Sequence, residues 1–303
     1  VKAGPVRHGL EYVAYRLAAA PLAAIPHGAA RALGRLLGDL AWALDGRHRR
    51  VTLDNLALAL PERPVAERRR IARACFRHFG RSFSDMLSAQ RFDLQELCRR
   101  TTLEGWDHML AARAAARPRG FLLITGHVGL WEHAAHAVGV YAGPLHVVGR
   151  PLDNPWLDRE LAESRRRFGN HLIPKRGAAR GMLRALQTGE EVALLVDQRV
   201  QPKEGVEVPF FGRPAWTTPV PARLSLRFSV PVVPAFGYPA PGGRYRVEVL
   251  PPVEPVTASA DDEGAVRELT ARYTGIMEAA IRRDPALWLW MHRRWKPRPG
   301  AAG

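Results

Sequence analysis

Cysteine is nearly absent from this 303-residue sequence: Cys75 and Cys98 stand alone, with no C-x-x-C pair. That excludes a disulfide framework, gives no zinc-finger spacing and suits a reducing compartment. Lysine is scarce too, with Lys2, Lys175, Lys203 and Lys296 the only four among 45 basic residues. Long apolar runs are missing as well. The N-terminal one, between Arg16 and Arg31, covers residues 17–30 and is interrupted by Pro21 and Pro26, short of the roughly 20 apolar residues a spanning helix needs. No small-residue cleavage pattern makes it a secretory signal. It reads either as a helix lying in a membrane interface, with Tyr12, Tyr15 and Arg16 at headgroup level, or as an ordinary core helix. Glycine and proline, at 27 and 25 residues, are too few for a low-complexity chain, and no internal repeat is present.

What is there in excess is arginine, which brings the formal charge to +16. A guanidinium grips planar oxyanions in a fork, so phosphate or carboxylate partners fit this surplus. A genome that favours Ala, Arg, Pro and Gly codons accounts for it equally well. A composition of 47% hydrophobic and 24% charged residues describes a globular protein.

Residues 1–118 read as helices. Segment 64–83 carries arginine on one side and Ile71, Ala74, Cys75 and Phe79 on the other, the spacing of an amphipathic helix. After Gly120 the pattern changes. Short apolar runs at 121–125, 145–148, 171–174, 192–196, 206–211, 230–236 and 245–250 alternate with helical stretches such as 131–141, 154–168, 178–188 and 219–228. This alternation predicts an α/β fold, with a mostly parallel central sheet of about seven strands flanked by helices and a helical N-terminal layer. A last helix over 261–283 leads into an aromatic and basic tail. No linker divides the chain, so one domain is expected over 1–303, with the helical layer at 1–118 and the α/β core at 119–303.

Chemistry concentrates in Gly120-Phe-Leu-Leu-Ile-Thr-Gly126-His127-Val-Gly129-Leu-Trp131-Glu132-His133-Ala-Ala-His136. An apolar strand runs into a glycine turn and a helix, which places His127 at the carboxyl edge of the sheet, where open α/β folds put reactive groups. Glu132, in the first helical turn, is within reach of that turn. A carboxylate there would hold one imidazole nitrogen and leave the other free as a base. A metal site is the rival reading, with His127, Glu132, His133 and His136 as ligands, but neither HExxH nor HxxEH occurs. A purely structural turn is the third. Arg150 ends another apolar strand and reads as a phosphate clamp, with a surface salt bridge as the alternative. Arg176 follows a strand end; Arg165, Arg166 and Arg167 look like a solvated helix face. Asp197 and Gln198 close the most apolar strand, again at the carboxyl edge. Glu207 alternates with Val206 and Val208 and so faces away from them.

The His127-x4-Glu132 segment resembles the HX4(D/E) motif of the bacterial lipid A biosynthesis acyltransferases, a family that joins lauroyl- and myristoyltransferases with phosphatidylinositol mannoside acyltransferases. The similarity continues in order along nearly the whole chain: Asn55-Leu-Ala-Leu-Ala-Leu-Pro61-Glu62; Arg150-Pro-Leu-Asp-Asn154; Arg165-Arg-Arg-Phe-Gly169; Asp197-Gln198; Gly205-Val-Glu207-Val-Pro209; and Trp288-Leu-Trp290-Met-His292-Arg-Arg-Trp295-Lys-Pro297. Gly126 departs from the Asn that many members carry before the histidine. The broken apolar run departs from the spanning anchor of several members.

The resemblance implies transfer of an acyl chain from acyl carrier protein or coenzyme A to a hydroxyl of a glycolipid, without a resident cofactor or metal. It implies His127 as general base with Glu132 as its orienting partner, and Glu207 as the partner used in the mannoside branch. Arg150, Arg176, Asn154, Asp197 and Gln198 are expected at the substrate. The protein is expected at the cytoplasmic face of the bacterial inner membrane, held peripherally on anionic lipid. No acyl-enzyme is expected, since the sequence has no GxSxG elbow. A mannoside-type enzyme using acyl-coenzyme A remains open, as does a non-catalytic lipid- or nucleic-acid-binding protein; nucleic acid is not expected, because it leaves the His127 segment without a role.

Overall fold

The computed structural model describes residues 4–89 and 91–295. Lys2 lies outside them, as do Lys296 and Pro297 at the end of the closing motif. Four helices open the chain: α1 (Pro5–Ala24), α2 (His27–Leu44), α3 (Gly46–Ala59) and α4 (Val65–Ala89). Pro26 separates the first two, so the interrupted apolar run bends between helices instead of continuing as one rod. Asp45 caps α3 by accepting the His48 N–H at 3.0 Å, the kind of contact worth about 1 kcal/mol.

The short α5 (Leu94–Arg100) leads into β1 (Thr101–Glu104), and α6 (Trp106–Ala116) precedes the alternating half. There β2 (Leu122–Thr125), α7 (Trp131–Ala142), β3 (Leu145–Gly149), α8 (Pro155–Arg167), β4 (Asn170–Pro174), α9 (Ala178–Gln187) and β5 (Glu191–Leu195) follow one another. A hairpin of β6 (Val206–Phe210) and β7 (Arg213–Thr217) comes next, then α10 (Val220–Phe228), β8 (Val232–Ala240), β9 (Arg244–Val249) and α11 (Glu263–Arg283).

The main sheet has seven strands in the order β1-β9-β8-β2-β5-β3-β4. From β8 to β4 every neighbour is parallel; β9 turns back antiparallel on β8, and β1 joins β9 in parallel. The fold is the α/β arrangement read from the alternation, with two local corrections. The run at 206–211 is not part of the sheet: it pairs with β7 in a separate two-stranded ribbon. Its place is taken by β1, inside the stretch read as purely helical. Four residues, Thr-Thr-Leu-Glu, carry too little periodicity to announce a strand. The helical layer contributes to the core. Leu56 of α3 and Ile71 and Cys75 of α4 share one apolar core with β2, β5 and β8.

α2 and α4 meet backbone to backbone. A Cβ on Gly80 would stand 2.1 Å from the Gly34 carbonyl oxygen, and one on Gly38 would stand 2.4 Å from that of Phe76. Only glycine permits that approach. The seam buries the small-residue side of α2 and leaves Leu36, Leu40 and Leu44 on its outer side, at 62%, 53% and 75% exposure. Gly80→Val should therefore separate the two helices and lower stability by about 1–3 kcal/mol or more, measured by denaturant unfolding; an unchanged midpoint would show that the seam tolerates a side chain.

Candidate active site

Strand register brings the site together. Thr125, the last residue of β2, lies opposite Leu195, the last residue of β5. Two residues beyond each strand end stand His127 and Asp197, so the parallel pairing delivers them side by side at the carboxyl edge. The His127 backbone N–H donates to Asp197 Oδ2 at 2.9 Å, and its ring Nδ1 lies 2.9 Å from Asp197 Oδ1. The indole N–H of Trp288 donates to Oδ2 at 2.7 Å. Asp197 is buried, with 1% of its side chain exposed, and these three bonds replace the water it loses.

The electrostatics follow from this geometry. Burial pushes the Asp197 carboxyl up, but the charge and N–H bonds of His127, joined by the Trp288 indole, outweigh it and bring the pKa to about 2. The carboxylate is therefore ionised near neutrality, and Nδ1 of His127 carries the proton that it accepts. Burial pushes His127 down; Asp197, and behind it Glu132, raise it, with a net direction above the ordinary histidine range. Nε2 is left for other work. Its recorded neighbour is Gln198 Nε2 at 3.5 Å, the outer limit of a hydrogen bond.

The expected partner of the imidazole is thus corrected. Asp197 holds His127, and Glu132 is engaged elsewhere, in a two-point ion pair with Arg165 whose Nε donates to Oε2 at 3.1 Å. Burial pushes the Glu132 carboxyl up, the Arg165 guanidinium overrides it, and the net direction is down. Arg165 is itself 12% exposed, so it does not belong to a solvated face. Glu207 lies on the separate ribbon and not on the main sheet. It sits in the β6–β7 ribbon opposite Trp216, its carbonyl accepting from Arg267 of α11 at 2.8 Å; Val206 and Val208 are buried as the alternation requires.

The remaining expected residues divide. Gln198 adjoins His127. Arg150 is 74% exposed and forms a surface ion pair with Asp153 at 2.6 Å, the arrangement named as the alternative to a phosphate clamp. Arg176 is exposed on the turn before α9. Asn154 is buried and structural: it caps α8 through the Trp156 N–H at 3.1 Å and donates to the His8 carbonyl at 2.8 Å. His133 and His136 part company: His133 bonds Thr101 Oγ1 at 3.0 Å, and His136 stacks on Phe168 at 4.6 Å.

The closing segment fastens this edge. Val128 and Trp288 form an antiparallel bridge, Gly129 N–H donates to the Leu287 carbonyl at 2.8 Å, and Leu289 N–H donates to that of His127 at 3.0 Å. From α3, the Asn55 amide donates to the Trp290 and His292 carbonyls at 2.8 and 2.7 Å. Trp288 and Trp290 are 2% and 0% exposed, so these two aromatics of the tail are core. Arg294, also buried, donates to the Trp216 carbonyl and Thr217 Oγ1 at 2.7 and 2.6 Å.

On the α4 side of His127 lies an apolar cavity of about 270 Å³ walled by Phe79, Phe83 and Met86 of α4 and by Leu130, Trp131 and Glu132. The Trp131 ring stands 5.1 Å from that of His127.

Four segments distant in sequence, around Asn55, His127, Asp197 and Trp288, therefore converge on one edge. Residues 6–297 match the family described as bacterial lipid A biosynthesis acyltransferase. The chain belongs to that family. It is 30% identical to a lipid A biosynthesis lauroyltransferase of Escherichia coli, over 91% of this chain and 88% of the relative. It is 28% identical to a lipid A biosynthesis palmitoleoyltransferase of the same species, over 88% and 85%. A phosphatidylinositol mannoside acyltransferase of Mycolicibacterium smegmatis is 25% identical over 80% and 77%. In this acyltransferase fold, the signal that would have singled out Asp197 was its position, two residues past an apolar strand, matching that of His127. Trp288 and Arg165 gave no such signal.

The acyltransferase's His127 ring should titrate above an ordinary histidine. In Asp197→Asn the larger raising charge is gone while burial remains, so the ring should titrate lower than in wild type. Imidazole chemical shifts followed by NMR across pH 4–9 test this (roughly the span over which histidines titrate), and an unmoved titration would detach the pair.

Proposed function

We propose that the protein transfers a fatty acyl chain from a thioester, carried on acyl carrier protein or coenzyme A, to a hydroxyl of a membrane glycolipid of the lipid A precursor type, with His127 as general base. The observation that carries this reading is the His127–Asp197 pair: one ring nitrogen tied to a buried carboxylate, the other unspent, beside an apolar cavity. Nε2 accepts the acceptor hydroxyl's proton as its oxygen attacks the thioester carbonyl. The tetrahedral adduct collapses, the carbon–sulfur bond breaks, and the departing thiolate takes the proton from the imidazolium. Asp197 stays ionised throughout and stabilises the imidazolium; Glu132, fixed by Arg165, adds a second negative charge at longer range. Such base catalysis supplies about 10²–10⁴-fold, with positioning of the two substrates supplying the rest. Cys75 takes no part as a nucleophile, since burial pushes its thiol up to about 12.

The acyl chain belongs in the cavity between α4 and α7. Tyr15 of α1 packs on the cavity wall at Phe83, with ring centres 6.4 Å apart, which ties the chain's entry to the outer helices. Val6, Leu10, Val13 and Leu17 recur along one side of α1, all more than half exposed, and Leu36, Leu40 and Leu44 do the same on α2. Among the described residues no helix is long and apolar enough to cross a membrane. These faces, with Arg7, Arg16 and Arg35 exposed among them, instead suit shallow insertion into anionic lipid, where each basic residue gains about 1 kcal/mol. The surface is assigned to the cytoplasmic face of the inner membrane, where acyl thioesters are made available.

Thiol release from acyl carrier protein and coenzyme A thioesters, with and without the glycolipid, tests the reaction. Acceptor-stimulated release is expected from wild type and should fall at least about 10²-fold in His127→Ala; equal turnover in the two would overturn the base assignment, and the preferred donor separates the two branches of the family. On the membrane side, Leu36→Asp with Leu40→Asp should abolish co-sedimentation with phosphatidylglycerol vesicles while leaving the melting temperature within a few degrees; retained binding would move the docking surface elsewhere.

A further inference from the structure

A second cavity, of about 390 Å³, adjoins the loop that follows Gln198, and basic side chains line it together with Val51 and Met291. Arg47 and His48 of α3 line it, with Arg199 from the loop after β5 and His292 and Arg293 from the closing segment. Among the described residues none of these three guanidiniums has a carboxylate within ion-pair distance, while sixteen other arginines do. Asp45, at the start of α3, is already engaged by the His48 N–H at 3.0 Å and by its ring at 2.6 Å. Three like charges around one cavity repel one another, and a multivalent anion removes that repulsion.

Backbone contacts hold together the segments that line the cavity, while the Arg47 and Arg293 side chains are exposed. Buried Asn55 clamps the Trp290 and His292 carbonyls onto α3, which fixes Arg293 relative to Arg47 two turns earlier on the same helix. Arg199 N–H donates to His292 Nε2 at 3.4 Å, so that nitrogen is an acceptor and the imidazole is neutral; the positive charge of the cavity comes from the guanidiniums. Arg199 directly follows Gln198, the neighbour of His127 Nε2. Consecutive Cα atoms lie about 3.8 Å apart, so the cavity and the reacting nitrogen are served by adjacent residues.

We propose that this cavity is a phosphate subsite for the substrate that reacts at His127, with Arg47, Arg199 and Arg293 gripping a phosphate ester while the reacting carbonyl or hydroxyl stands at Nε2. Guanidinium forks match tetrahedral phosphate oxygens two at a time, and three of them exceed what a single carboxylate neutralises. The inference rests on the acyl-transfer reading. The phosphate has two sources, the pantetheine-linked phosphate of the donor and a sugar phosphate of the acceptor, and the experiment separates them.

Arg199→Gln and Arg293→Gln are compared with wild type and with Arg150→Gln, a change in a surface ion pair. Calorimetric titration with inorganic pyrophosphate is expected to show saturable binding that weakens about 10-fold or more in the first two variants and holds in the third. Steady-state kinetics then use two substrate pairs: acyl-coenzyme A against the phosphate-free acyl N-acetylcysteamine thioester, and the acceptor glycolipid with and without its phosphate. KM should rise about 10-fold more for the phosphate-bearing member of one pair, and that pair names the source. No saturable pyrophosphate binding by wild type, or equal losses on both members of both pairs, overturns the proposal. Pyrophosphate binding lost in Arg199→Gln, in a protein that transfers no acyl chain, upholds the subsite and overturns the acyl-transfer reading instead.

Discussion

A carboxylate with almost no access to water organises one edge of this molecule. Asp197 accepts hydrogen bonds from three N–H groups, two on His127 and one on Trp288, and each bond to a charged acceptor contributes about 1.5–3 kcal/mol. Those donors arrive on separate parts of the chain, so the carboxylate is also a joint: it fastens the turn after β2 and the closing segment to the end of β5. Removing one partner of such a buried pair typically costs about 3–5 kcal/mol. The same three bonds that secure the joint fix the imidazole tautomer, so stability and chemistry draw on one arrangement. Gly126 belongs to it as well. A Cβ there would stand 2.6 Å from Met277 Sδ and 3.0 Å from the Asp197 side chain, which gives a local reason for glycine at this position.

How much of this was legible in the sequence depends on how local the determining contact is. The strand–turn–helix at 120–136 is local, and it placed His127 at the carboxyl edge correctly. The partner of His127 is not local. Glu132 is five residues away and Asp197 seventy, and choosing between them requires knowing that β2 and β5 are neighbours in register. Sequence alternation orders strands along the chain and says nothing of their order across the sheet. Arg165 was masked by composition: in a run of three arginines on an amphipathic helix, one inward-facing member has the same letter as its solvated neighbours. Glu207 shows the complementary failure. Its alternation with Val206 and Val208 was right, yet those valines pack the β6–β7 ribbon, and a correct local pattern was attached to the wrong sheet.

The helical layer follows a different logic. The glycine seam between α2 and α4 brings two backbones into contact and so spends the small-residue face of α2 on the interior. Its leucines have nowhere to go but outward. The amphipathic pattern that ordinarily predicts a buried leucine face is inverted here, and the inversion is set by Gly34, Gly38 and Gly80. α4 then serves two surfaces at once, carrying this seam on one side and the walls of the apolar cavity on another. A lipid bound at the outer helices is therefore one helix removed from the edge where His127 stands.

Two cavities, one apolar and one lined by arginines, adjoin segments of that edge, and their sequence origins differ. The apolar one is made by α4 and the start of α7, where the aromatic and aliphatic side of an amphipathic helix faces the sheet. The basic one is made by the start of α3, the loop after β5 and the closing segment, three pieces whose backbones are tied together by the Asn55 and His292 side chains. An acyl thioester and a phosphorylated glycolipid share one layout, with an apolar chain at one end, a phosphate at the other and the reacting group between. An imidazole with an apolar cavity near Trp131 and arginines in the loop after Gln198 suits that layout under the proposed reading, whichever substrate supplies the phosphate.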